Sequence, residues 1–297
     1  MSKDVFSTFH PIVNFTFFAA VFMFSMIFMH PIFQCLSFIG AVTYSIMLNG
    51  KKAVIFNFVY MLPLMLIMAS LNPMFNHAGI TILFYAKSGN PITLESILYG
   101  VAMAVMFITV IIWFSCYNKV MSSDKFIYLF GKIVPAWSLV IAMALRFVPR
   151  YKEQLIAISN AQKCIGRDIT QGHLVQRARN GLTILSILTT WALENAIETA
   201  DSMKARGYGL PGRTSFSIYR FDGRDRNVFI LLVCLIIIIF IGAAIGENSI
   251  RFFPSIKYTE ATAFSLVVYF AYFVLCMIPV ILYVWEEWKW TYIKSNS

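Results

Sequence analysis

The chain has 297 residues, of which 59% are hydrophobic and only 13% charged, and its mean hydropathy is +0.72. Soluble domains carry about 25% charged residues, so this composition excludes an ordinary soluble protein and points to an integral membrane protein. The net charge of +10 raises the question of nucleic acid. Eight acids interleave with the basic residues of 119–226, however, so no dense basic stripe forms.

Met1-Ser2-Lys3-Asp4 holds a single basic residue, and the apolar stretch behind it is too long for a cleavable signal. Residues 5–50 contain no Asp, Glu, Lys or Arg. A spanning helix needs about 20 apolar residues, so this run predicts two spans, broken at His30-Pro31 and closed by Lys51-Lys52. Residues 53–70 predict a third span. A turn-rich loop follows, with Asn72-Pro73, Gly79 and Ser88-Gly89-Asn90-Pro91, and Thr81-Ile82-Leu83-Phe84-Tyr85 reads as a short strand within it. Residues 96–118, 228–246 and 261–285 predict spans four to six. In Gly242-Ala243-Ala244-Ile245-Gly246 the glycines match a helix-packing pair, although Gly246 also stands where the helix would end.

Of the 24 Lys and Arg, 16 fall in 119–226. The positive-inside rule places this stretch in the cytoplasm, and both termini with it. Its two uncharged runs, 133–145 and 181–193, are 13 residues each. That is too short to cross a bilayer, so they read as buried or half-inserted helices, each leading into an amphipathic helix. The first amphipathic helix opens near Pro149, sets Leu155, Ile158, Ala161 and Ile165 along one side, and stops at Gly166. The second sets Leu193, Ile197, Ala200 and Met203 on one stripe and Glu194, Glu198 and Asp201 on another. Lys204 and Arg206 sit in its last turn, and Gly207 is its C-terminal stop.

No catalytic constellation is legible: there is no HExxH, GxSxG or paired-aspartate motif. His10, His30, His77 and His173 are scattered, without the spacing of a metal site, and no cofactor is expected. Gly209-Leu210-Pro211-Gly212-Arg213-Thr214 lacks the spacing and lysine of a phosphate loop, and reads as a turn. Cys35, Cys116, Cys164, Cys234 and Cys276 lie far apart, mostly in apolar stretches, and read as buried thiols.

Leu145-Arg146-Phe147-Val148-Pro149, Ala161-Gln162, Thr190-Trp191-Ala192-Leu193-Glu194 and Ser202-Met203-Lys204-Ala205-Arg206-Gly207-Tyr208-Gly209, followed by Arg213-Thr214, carry a resemblance, as does His10-Pro11 before the first span. The chain resembles the transmembrane T component of energy-coupling factor (ECF) transporters, an EcfT/CbiQ-like family. The resemblance implies an all-α polytopic membrane protein of about six transmembrane helices, with a central cytoplasmic segment of two long amphipathic coupling helices. The chain then divides into 1–118, membrane helices one to four; 119–226, the coupling-helix region; and 227–297, membrane helices five and six with a short tail.

The resemblance further implies a non-enzymatic coupling subunit, multi-pass in a prokaryotic plasma membrane. Its partners would be two ABC-type ATPase subunits and a small substrate-binding membrane subunit, and the cargo a vitamin or transition-metal ion. Each coupling helix of such proteins ends in an Ala-Arg-Gly-like motif that docks an ATPase. Here the second is intact as Ala205-Arg206-Gly207. The first is replaced by Cys164-Ile165-Gly166, and its arginine, Arg167, comes one place after the glycine. Either Arg167 acts from a shifted position or that tip docks without an arginine. Composition alone also permits Lys204 and Arg206 to do no more than complement a helix dipole. The alternative functional readings are a membrane subunit of another ABC system, a polytopic enzyme, and a non-transport assembly factor.

Overall fold

A computed structural model describes residues 4–85, 91–131, 134–210, 219–246, 249–258 and 262–295. The expected turns at Ser88-Gly89-Asn90 and Pro211-Gly212-Arg213-Thr214, and Ile133 at the head of the first short apolar run, lie outside these residues.

Helix α1 (Pro11–Ile27) starts at a His-Pro pair. His10 is its N-cap and Nδ1 accepts from Ile12 N–H at 3.3 Å, while Pro11 takes a first-turn position that needs no donor. His30-Pro31 repeats the device for α2 (Pro31–Asn49). The next apolar stretch runs from Lys51 to Phe75 as α3 (Lys51–Ile55), a π-helical turn (Phe56–Met61) and α4 (Leu62–Phe75). The expected strand forms as β1 (Ile82–Tyr85), pairing antiparallel with β2 (Pro91–Thr93). Thr93 Oγ1 then caps α5 (Leu94–Val120) by accepting from Ser96 N–H.

Helices α6 (Ser123–Gly131), α7 (Pro135–Cys164) and α8 (Leu174–Ala205) follow. A capping box of Asp222 and Asp225 opens α9 (Gly223–Ile245). A hairpin of β3 (Ile250–Arg251) and β4 (Lys257–Tyr258) leads to α10 (Ala263–Ser295).

Among the described residues, five stretches are long and apolar enough to cross a membrane: Pro31–Asn49, Lys51–Phe75, Leu94–Val120, Gly223–Ile245 and Ala263–Tyr292. Pro11–Ile27 is equally apolar, and its 17 residues stand at the lower end of spanning length. The chain is an all-α polytopic membrane protein, with two small hairpins as its only strands among the described residues.

The chain forms two compact units, Met1–Lys125 with Tyr219–Ser297, and Phe126–Ile218. In the first, α2 packs on α5 and α10, α4 on α5, and α9 on α10. Phe6, Phe17, Phe18, Tyr44 and Trp113 fill its centre edge to face. A buried polar network ties four of its helices: Ser25 of α1 bonds Ser37 of α2 at 2.7 Å and Tyr272 of α10 at 3.3 Å, and Trp113 of α5 donates Nε1–H to Ser37 Oγ at 3.1 Å. Apolar lipid does not drive helices together, so satisfied bonds and close packing must hold such a bundle. Gly242 serves the latter. A Cβ there would lie 2.6 Å from Val268 Cγ2, so α9 and α10 meet at this glycine, while Gly246, at φ 94°, ends α9.

Three expectations are corrected. The short apolar runs and the amphipathic helices behind them are not separate elements: α7 and α8 are continuous helices of 30 and 32 residues. Pro149 does not open a helix. It lies inside α7, where it deletes a single ladder donor that the flanking turns tolerate. The thiols are also not uniformly buried: Cys116 and Cys276 are, whereas Cys35, Cys164 and Cys234 are exposed.

Candidate functional site

The second unit carries both sequence-motivated helix ends, and they share one construction. At the end of α8, Ala205 is the last helical residue and Arg206 is the C-cap (φ −85°, ψ 10°). Gly207 turns left-handed at φ 78°. Gly207 N–H donates to Lys204 O at 2.9 Å and Tyr208 N–H to Met203 O at 3.0 Å, the bond pair of a Schellman turn. At the end of α7, Ile165 is the C-cap (φ −96°, ψ 17°) and Gly166 turns at φ 79°. Gly166 N–H donates to Lys163 O at 3.0 Å and Arg167 N–H to Gln162 O at 2.9 Å. A side chain with a Cβ would resist this φ at either glycine.

The two tips correspond position for position. Ile165 stands where Arg206 stands, and Arg167 stands where Tyr208 stands. Beyond the α7 tip the chain is tied down. Thr170 N–H donates to Asp168 Oδ1 at 2.9 Å, Arg177 Nε–H to Ile169 O at 2.6 Å, and Asn180 Nδ2–H to Asp168 O at 3.0 Å. The Thr170 N–H, aided by Lys163 at 3.5 Å, holds the Asp168 carboxyl below the ordinary aspartate range.

The apolar stripes behind the tips are largely uncovered. Leu193 and Ile197 are 63% and 65% exposed, Leu155, Ala161 and Ala200 are exposed, and Met203 is half-buried. Ile158 departs from this pattern: it is buried, as is Ile184 of α8. The helices lock together where the family-like motifs meet. Trp191 of α8 stands edge-on to Tyr151 of α7 at 5.6 Å, and the Arg150 guanidinium lies 5.5 Å from the Trp191 ring. Phe147 stacks on Tyr151 at 5.7 Å.

A second constellation escaped the sequence reading. The chain leaves the first unit after Lys125 and returns at Tyr219, and residues 4–10 bind both sites. Lys125 is 6% exposed; its ammonium donates to Ser7 O at 2.6 Å and Val120 O at 3.0 Å. The Asn14 amide, oriented to satisfy both groups, accepts from Lys125 Nζ at 2.8 Å and donates to Phe6 O at 2.9 Å. Burial pushes the Lys125 amine down to about 8, against the pull of nearby Asp4. Burial raises the Asp4 carboxyl, opposed by the bond it accepts from Tyr44 OH at 3.0 Å and by Ser7 N–H.

On the return side, Asp225 accepts from His10 N–H at 3.1 Å, and the Arg224 guanidinium lies 4.3 Å from the Phe9 ring. The His10 ring meets Phe221 edge-on at 5.2 Å. The one sequence hint of this clasp was Asp4 itself, the last charge before the uncharged run to Gly50.

A family model described as Cobalt transport protein (CbiQ) matches residues 7–216, which take in most of the clasp segment, α1 to α8 and both glycine turns. The chain belongs to this family. Among similar proteins is the "Energy-coupling factor transporter transmembrane protein EcfT" of Lactobacillus helveticus (strain DPC 4571), 40% identical over 105 residues, which cover 34% of this chain and 38% of the relative. The protein of the same description from Brevibacillus brevis is 40% identical over 103 residues, 34% of this chain and 39% of the relative. That of Bacillus subtilis (strain 168) is 34% identical over 104 residues, 35% and 39% of the two chains. These alignments thus span less than two-fifths of each relative's length. Membership of the Cobalt transport protein family agrees with the resemblance carried by the Ala205-Arg206-Gly207 region and with the multi-pass helical fold.

Proposed function

We propose that this chain is the transmembrane coupling subunit of an ECF-type ABC importer. It passes the movements of two partner ATPases to a small substrate-binding membrane subunit, for uptake of a vitamin or transition-metal ion. ATP is hydrolysed in the partners. The unit Phe126–Ile218 and both termini face the cytoplasm of a prokaryotic cell, as the 16 basic residues of 119–226 favour.

The observation that carries this reading is the pair of matched glycine turns at the ends of two long helices. At ~1.5 Å per residue, α7 and α8 are levers of roughly 45 and 48 Å. Each helix end is closed by two backbone bonds, so the C-cap side chain is set at the very tip. At Arg206 that side chain is a guanidinium, whose planar fork suits carboxylates and carbonyls on a partner. The Tyr151–Trp191–Arg150 contact joins the levers, so force on one tip is shared with the other helix. The exposed stripe of Leu193 and Ile197 offers apolar area to a membrane partner.

Purification of the tagged chain from native membranes tests the proposal. It should bring down ATPase subunits and a small apolar membrane protein, and hydrolyse ATP only with them. A chain that purifies alone, or turns over ATP by itself, contradicts it.

A further inference from the structure

We infer that the α7 tip docks its partner ATPase through the Ile165 side chain, seated in an apolar recess, and not through Arg167. The inference rests on the function proposed above and goes beyond it by assigning the two tips different chemistry. The Schellman bonds, the C-cap dihedrals and the glycine φ values coincide at both tips. The C-cap side chains must therefore leave their helices in the same way, and the residue equivalent to Arg206 is Ile165.

Arg167 occupies the position of Tyr208, two residues past the C-cap. In a Schellman turn that residue folds back toward the third from the end. For Tyr208 this is Met203, and for Arg167 it is Gln162. Arg167 is thus held past the C-cap by its backbone bond to Gln162 O, and the C-cap position of Arg206 is taken by Ile165.

At the α7 tip the C-cap side chain itself is apolar. Ile165 is 64% exposed. It continues the side of α7 that carries Leu155, Ile158 and Ala161, so the apolar stripe of α7 runs to the very tip, whereas that of α8 stops at Met203 before Arg206. Lys163 pairs with Asp168 at 3.5 Å, and Asp168 also accepts from Thr170 N–H, so these charges are engaged within the tip's own loop. A partner surface complementary to this tip is apolar where the partner surface for Arg206 is acidic or carbonyl-lined.

The test uses the full chain, purified with its own ATPases from native membranes; the ATPases are identified by mass spectrometry and counted per chain at 0.15 M and 1 M salt. Ile165→Ser should weaken ATPase retention by about ten- to a hundredfold, Ile165→Val by less than about threefold, and Arg167→Ala by less than about twofold. Contact through Arg206 is screened by salt and apolar contact is not. The association left in Ile165→Ser should therefore be lost at 1 M salt, and that left in Arg206→Glu should survive it. Ile165 is exposed, so these variants fold, as equal membrane levels and melting temperatures would verify. Retention that falls with Arg167→Ala and holds with Ile165→Ser overturns the inference while leaving the proposed function intact. Failure of the wild-type chain to retain any ATPase overturns both.

Discussion

Replacement of Arg206 is the sharpest perturbation of the docking account. Arg206 is an exposed C-cap residue, so its loss from the fold forfeits only the attraction to the α8 dipole, about 0.3–1 kcal/mol. Its loss from the complex is larger. A hydrogen bond to a charged group contributes about 1.5–3 kcal/mol, and each 1.4 kcal/mol is roughly tenfold in affinity. Arg206→Ala should therefore reduce ATPase binding by about ten- to a hundredfold. Arg206→Glu should reduce it further, since a stranded partner charge costs about 2–5 kcal/mol. Arg220→Glu, beyond the glycine turn, is the control and should change binding by less than about twofold. The assay is titration of the chain in nanodiscs with its purified ATPases, at matched folded fraction. Equal affinity for wild type, Arg206→Ala and Arg206→Glu would refute the reasoning and leave Arg206 as a simple complement to the helix dipole.

Three further outcomes are expected. Gly207→Val forces a branched side chain to φ 78°, a strain of roughly 1–3 kcal/mol, and should impair ATPase binding while Arg206 is still present; normal binding would show that the turn is dispensable. The Lys125 amine is depressed to about 8 in the fold against an ordinary value near 10.5. The cost of burying its charge is thus fully present below about pH 8 and relieved as pH rises toward 10.5. The melting temperature of wild type, measured relative to Lys125→Met, should accordingly rise from pH 7 to pH 10, and a flat difference would place the ammonium in solvent. Exposed Cys164 should react with a membrane-impermeant maleimide only from the cytoplasmic side, and a cysteine at Ser249 only from outside; the reverse pattern would invert the proposed topology.

Much of the membrane unit was legible because its signals are local. Uncharged runs of spanning length, the His-Pro pairs at His10-Pro11 and His30-Pro31, and Lys51-Lys52 each mark an element by composition alone. Gly166 and Gly207 were legible as stops for the same reason. The continuity of α7 was not: Pro149 favours a helix start by local rule, yet the turns on either side carry the helix past it. The clasp was beyond reach, since it joins Ser7 to Lys125 and His10 to Asp225 across 118 and 215 residues. At the α7 tip the sequence shows an arginine one place after the glycine, and only the bond pattern decides which residue takes the tip. Registering the two motifs on their glycines, which fix the backbone, sets Ile165 opposite Arg206.

The most direct test of coupling is a spin-label distance within the assembled complex. One label goes at Thr43 in α2 and one at Ser186 in α8, with Cys35, Cys164 and Cys234 replaced by alanine. A control pair at Lys152 and Ser186 lies within the Phe126–Ile218 unit. If the chain transmits ATPase movement, the Thr43–Ser186 distance changes between nucleotide-free and ATP-bound states, the control distance holds, and Arg206→Glu abolishes the change. A Thr43–Ser186 distance that ignores nucleotide in the intact complex would contradict the account.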